Sequence, residues 1–101
     1  MKTIINGKLY NTLTATLVGE YDNGYLPKDS KYMEEELYRK KTGEYFLYGR
    51  GGGLSKYAEH EGNYRTEGSA VIPLTVEEAK YWVEKHLSVN TYIKLFGEPE
   101  E

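Results

Sequence analysis

The chain has 101 residues, with 13 Lys and Arg against 16 Asp and Glu, two histidines and no cysteine. That length fits one domain with one modest core, and the lack of thiols excludes a disulfide scaffold, a cysteine nucleophile and any cysteine-ligated zinc, haem or iron–sulfur centre. A net charge of −3 fits poorly with a general nucleic-acid binder, and without the tail acids Glu98, Glu100 and Glu101 the counts are equal at 13 and 13.

The opening Met1-Lys2-Thr3-Ile4-Ile5-Asn6-Gly7 lacks the apolar stretch of a signal peptide, and no apolar run approaches the ~20 residues of a membrane span. The sequence therefore points to a cytoplasmic protein with no membrane partner. Asn6-Gly7 between Ile4-Ile5 and Lys8-Leu9-Tyr10 predicts a small hairpin, near 3–5 and 8–11, because both turn positions need positive φ. The β-branched run Thr14–Tyr21 predicts a strand, with Ala15, Leu17 and Tyr21 on one face and Thr14, Thr16 and Val18 on the other. Asp22-Asn23-Gly24 turns the chain into a loop over 25–31, which holds Pro27, Asp29 and Ser30.

From Tyr32 to Gly49 the pattern predicts a second hairpin turned at Thr42-Gly43, with Glu34, Glu35 and Glu36 on one arm and Tyr45-Phe46-Leu47-Tyr48 on the other. A glycine-rich loop over 49–53 follows, then a polar, irregular stretch from Ser55 to Gly68. Ser69–Leu74 reads as a last short strand, edged by Pro73. Thr75-Val76-Glu77-Glu78 is a capping box that opens a helix running to about Leu87, with Val76, Ala79, Trp82, Val83, His86 and Leu87 along its apolar stripe. Ser88 caps a second short helix over 89–96, ended by Gly97. The expected fold is α+β: an antiparallel sheet of four to six short strands, with one or two C-terminal helices packed on one face. Residues 1–97 form the single domain and 98–101 an acidic, disordered tail.

Eleven tyrosines stand against two phenylalanines and one tryptophan. Tyrosine suits half-buried sheet faces and interfaces alike, so the choice lies between sheet cover and a binding surface. The glycine loop lacks the Gly-Lys-Ser/Thr of a phosphate loop, and Leu54 stands where a dinucleotide fingerprint needs its third glycine. Its amides with Arg50 offer an anion cradle. The competing readings are a tight connection, or a protein-contact loop anchored by Tyr48, Arg50, Leu54 and Tyr57. Glu59-His60-Glu61 has no second ligand cluster, and Ser55 lies in no nucleophile elbow, so the sequence implies no metal, no cofactor and no catalytic residue. Arg39-Lys40-Lys41 at the hairpin end is a solvated turn, or part of a patch for a nucleic-acid backbone.

Three stretches together resemble a family of small proteins carried by mobile elements of Gram-positive bacteria. They are Ile5-Asn6-Gly7-Lys8-Leu9-Tyr10-Asn11-Thr12 with Ala15–Gly19, then Leu37–Gly49 with Gly52-Gly53-Leu54-Ser55-Lys56-Tyr57-Ala58, and Ile72-Pro73-Leu74-Thr75 leading into Glu77-Glu78-Ala79. Some members resemble type II-A anti-CRISPR proteins. The resemblance spans about residues 3–97 and brings no catalytic residues with it. It implies a non-enzymatic inhibitor, monomer or homodimer, that binds a type II RNA-guided CRISPR nuclease, with guide RNA as a possible second contact, and blocks guide-RNA or DNA loading. The candidate partner-binding residues are Arg39, Lys40, Lys41, Tyr48, Arg50, Leu54 and Tyr57. The alternative is an accessory protein that binds RNA or single-stranded DNA by stacking on tyrosines.

Overall fold

The computed structural model describes residues 1–101. Strands β1 (Lys2–Ile5) and β2 (Lys8–Asn11) form the first hairpin. Asn6 and Gly7 turn it at φ 50° and 78°, the positive angles a two-residue turn needs. Next come β3 (Thr16–Asp22), β4 (Met33–Arg39), β5 (Tyr45–Gly51), the short pair β6 (Glu59–Glu61) and β7 (Tyr64–Thr66), and β8 (Gly68–Leu74). Helices α1 (Val76–His86) and α2 (Val89–Phe96) close the chain. The main sheet is antiparallel in the order β3-β4-β5-β8, with β1–β2 and β6–β7 as separate two-stranded sheets. The expected α+β fold, a four-stranded sheet carrying two C-terminal helices, is what the chain forms.

The capping box builds α1 as its sequence demands. The Glu78 amide donates to Thr75 Oγ1 at 3.1 Å, and the Thr75 amide donates back to Glu78 Oε1 at 2.9 Å. The helix then lays Ala79, Trp82 and Val83 on Leu37, Tyr45 and Leu47 of the sheet, while Tyr92, Leu95 and Phe96 of α2 extend the same cluster. Leu37, Phe46 and Val83 are the largest fully buried side chains, each stabilising the fold by about 1.5–3 kcal/mol. On the opposite sheet face, Tyr10 of the small hairpin meets Phe46 edge-on at 5.3 Å, and Tyr38 stacks on Phe46 at the same distance. Lys8 pairs with Glu44 at 2.8 Å and Lys40 lies 3.8 Å over the Tyr10 ring. These contacts hold the hairpin over the turn end of β4–β5 and leave the other end of that face uncovered.

Three expectations need correction. The alternation expected over 14–21 breaks at a register shift between Leu17 and Gly19. One extra residue there swaps faces, so Val18 and Tyr21 pack together under the helices. The glycine loop expected over 49–53 begins only after Gly51, because β5 continues through Gly49 and Gly51. The stretch read as irregular over 55–68 contains the β6–β7 hairpin, turned at Gly62 with φ 61°. Residues 98–101 carry neither helix nor strand.

Candidate functional site

Three glutamates stand in a row on β4, and strand alternation sends them to different environments. Glu35 points toward α1 and is 2% exposed. It accepts a hydrogen bond from Trp82 Nε1 at 2.9 Å, another from the Tyr57 hydroxyl, and pairs with Lys56 at 2.8 Å. Burial pushes its pKa up, but donation by Lys56, Tyr57 and Trp82 outweighs it, and the carboxyl is held below its ordinary value. Burial and the bond to Glu35 push the Tyr57 phenol up. A carboxylate saturated by three donors and biased toward its charged form is a poor general base. It is a tie between the 52–58 segment, the sheet and α1.

The tie explains a glycine. Gly49 is the register partner of Glu35, and a Cβ built there would stand 2.0 Å from Tyr57 Cζ. Only a residue without a side chain lets the phenol cross the strand and reach Glu35. A Cβ on Gly52 would likewise meet the Ser30 carbonyl oxygen at 2.5 Å. Packing thus accounts for these glycines, and the loop is the tight connection among the three sequence readings. Ser55 is also absorbed: its Oγ donates to the Gly52 carbonyl at 2.8 Å and accepts the Tyr57 amide at 3.2 Å.

Glu34 and Glu36 point the other way, onto the uncovered end of the sheet. There β3 brings Glu20 opposite Glu36 and Asp22 opposite Glu34. The four carboxylates line one groove of about 410 Å³. Directly opposed like charges destabilise a strand pair, and neither Glu20, Asp22 nor Glu36 forms an ion pair; the only ion pair in the row joins Glu34 to Arg50. Burial pushes Glu34 up, yet bonds from the Tyr32 hydroxyl and Arg50 Nε hold it below its ordinary value. The bond to Glu34, then burial, pushes the Tyr32 phenol up to about 12. Burial, then Glu36, does the same for Tyr38, which donates to Glu36 at 3.1 Å. Both phenols therefore stay protonated near neutrality and remain hydrogen-bond donors to Glu34 and Glu36. Beside it lies a second cleft of about 510 Å³, between Tyr32, Tyr48, Arg50 and Glu67.

The seven residues singled out from sequence do not converge. Arg39 ends β4 opposite Tyr45, whereas Arg50 lies five residues along β5, about 17 Å away at strand rise. Lys40 is partly buried over Tyr10, and Lys41 is exposed at the turn. Tyr48 and Arg50 do come together, the guanidinium 5.6 Å from the ring. Leu54 is exposed, 55%. Tyr57 is 6% exposed and on the helix side, so it supports the fold and is no surface anchor. Of the eleven tyrosines, Tyr10, Tyr38, Tyr45 and Tyr57 are buried, and Tyr25, Tyr64 and Tyr81 are exposed at separate places; they mainly cover the sheet. Alternation alone places Glu34 and Glu36 on one strand face, as a solvated sheet edge, but adding Glu20 and Asp22 to that row needs the β3–β4 register. His60 is exposed on β6, while His86 stacks on Tyr21 at 3.8 Å, where burial lowers its pKa.

No helix is long and apolar enough to cross a membrane. No protein-family model, curated protein or solved structure matches this chain.

Proposed function

We propose that this chain is a non-enzymatic inhibitor that docks its acidic sheet face on the cationic nucleic-acid channel of a type II RNA-guided nuclease and so keeps guide RNA or DNA from loading. The observation that carries this reading is the row Glu20–Glu36 and Asp22–Glu34 on an open sheet face, four opposed carboxylates of which only Glu34 has an ion-pair partner, Arg50. Keeping Glu20, Asp22 and Glu36 together without a cation of their own costs stability, and a cationic partner relieves that cost on binding. Nucleases of this type hold their guide–target duplex in a positively charged channel and contact it through shape and backbone. An acidic face matches such a channel without any sequence readout. The resemblance across residues 3–97 names the same partner.

The accessory nucleic-acid reading has less support. Arg50 is paired to Glu34, the Arg39–Lys41 turn lies at the far end of the hairpin, and only Tyr32 and Tyr48 share a cleft with Arg50.

The test is titration of purified type II nuclease from a low-GC Gram-positive host, first without guide and then guide-loaded. The expected result is binding to the free nuclease, competition with guide RNA, and affinity that falls as salt rises. Binding that ignores salt, or no binding to any such nuclease, contradicts the proposal.

A further inference from the structure

The main sheet has two edges, and they are defended unequally. Edge strand β3 carries a bulge at Leu17–Gly19 and the charges of Glu20 and Asp22, both devices that discourage strand pairing. Edge strand β8 reads Gly-Ser-Ala-Val-Ile-Pro-Leu and carries no charge. The direction of its free backbone groups follows from the ladder. The Gly52 amide donates to the Tyr32 carbonyl at 2.9 Å, so even-numbered residues of β5 face β4 and odd-numbered ones face β8. The β8 partners of those odd residues are Leu74, Ile72, Ala70 and Gly68. The amides and carbonyls of Ser69 and Val71, with the carbonyl of Pro73, therefore point away from the sheet. Pro73 sits where its missing N–H harms no ladder bond.

We propose that β8 is a self-pairing edge, joining two copies of this chain antiparallel about a two-fold axis at Val71. The register places Val71 opposite Val71, Ser69 opposite Pro73 and Ala70 opposite Ile72. It forms four backbone hydrogen bonds, two between the valines and one from each Ser69 amide to the opposite Pro73 carbonyl. The one group Pro73 offers is the one the register uses. The second copy is the occupant this edge fits, because in this register every outward amide of one copy, Ser69 and Val71, meets an outward carbonyl of the other, Pro73 and Val71. The pairing yields one eight-stranded sheet, with both acidic grooves on the same side and roughly 30 Å apart at six strand spacings. It does not depend on the identity of any nuclease partner.

Light scattering across a dilution series, with amide hydrogen exchange at both ends of it, tests the pairing. The expected result is a dimer whose Ser69 and Val71 amides become protected at high concentration, while Ala70 and Ile72 are protected throughout. Ser69→Pro removes only outward-pointing N–H groups and is expected to weaken the dimer about tenfold or more. Ala70→Lys, at an exposed side chain, serves as a second variant that weakens the dimer while its monomer stays folded by circular dichroism. A monomer at every concentration overturns the proposal. So does a dimer in which Ser69 and Val71 exchange freely, or protection of those amides that appears only when a nuclease is added.

Discussion

Glu35 and its neighbours Glu34 and Glu36 are the same residue type on one strand, yet they serve opposite ends. Glu35 is buried, meets three donors and ties the sheet to α1. On the other face Glu36 stands opposite Glu20 with no cation beside it, and Glu34, opposite Asp22, has only Arg50 to offset the row. A charge with all its partners inside the chain stabilises the fold; charges set against one another are an unmet demand that an external partner can satisfy. The comparison separates residues that make the structure from residues that use it.

The hardest way to break the inner half is Gly49→Ala. The new methyl lies 2.0 Å from Tyr57 Cζ, so the ring must leave and Glu35 loses a donor. The expected loss is about 4 kcal/mol of stability, read from urea midpoints. Glu35→Ala leaves Trp82 Nε1 and the Tyr57 hydroxyl buried without an acceptor, for an expected loss of about 3 kcal/mol. The sign of its pH dependence follows from a folded pKa below the unfolded one. The contribution of Glu35 is complete above the unfolded carboxylate value of about 4.3, and it is lost as pH falls through the lower folded value. Acid titration of the melting temperature is therefore expected to be shallower for Glu35→Gln than for the parent.

The outer half is sharpened by changes of opposite sign. Glu20→Gln relieves the repulsion with Glu36 and is expected to raise stability by about 0.5 kcal/mol, less at high salt, while nuclease binding weakens about tenfold. Lys41→Ala, at the exposed hairpin turn, is expected to change stability by less than about 0.5 kcal/mol and leave nuclease affinity unaltered. An effect as large as that of Glu20→Gln moves the interface to the basic turn.

Much of the fold was legible because local signals and tertiary packing agree. Asn6-Gly7, Thr42-Gly43, the Thr75–Glu78 capping box and the apolar stripe of α1 each mark their element. The bulge after Leu17 was not, since one inserted residue leaves the composition of a strand unchanged while swapping its faces. The Gly62-Asn63 turn of β6–β7 was a readable hairpin signal, hidden by the polarity of its arms. The site was the least legible part. Tyr57 looks like an anchor until Gly49 is seen to admit it to Glu35, and the acidic row exists only once Glu20 and Asp22 are placed across from Glu36 and Glu34.

The most direct measurement is the pair of values, melting temperature and nuclease affinity, for Glu20→Lys. The lysine faces Glu36 and turns repulsion into attraction without removing any hydrogen bond, so the account predicts a protein at least as stable as the parent that no longer competes with guide RNA. A variant that melts lower, or one that still blocks guide loading at full strength, contradicts it.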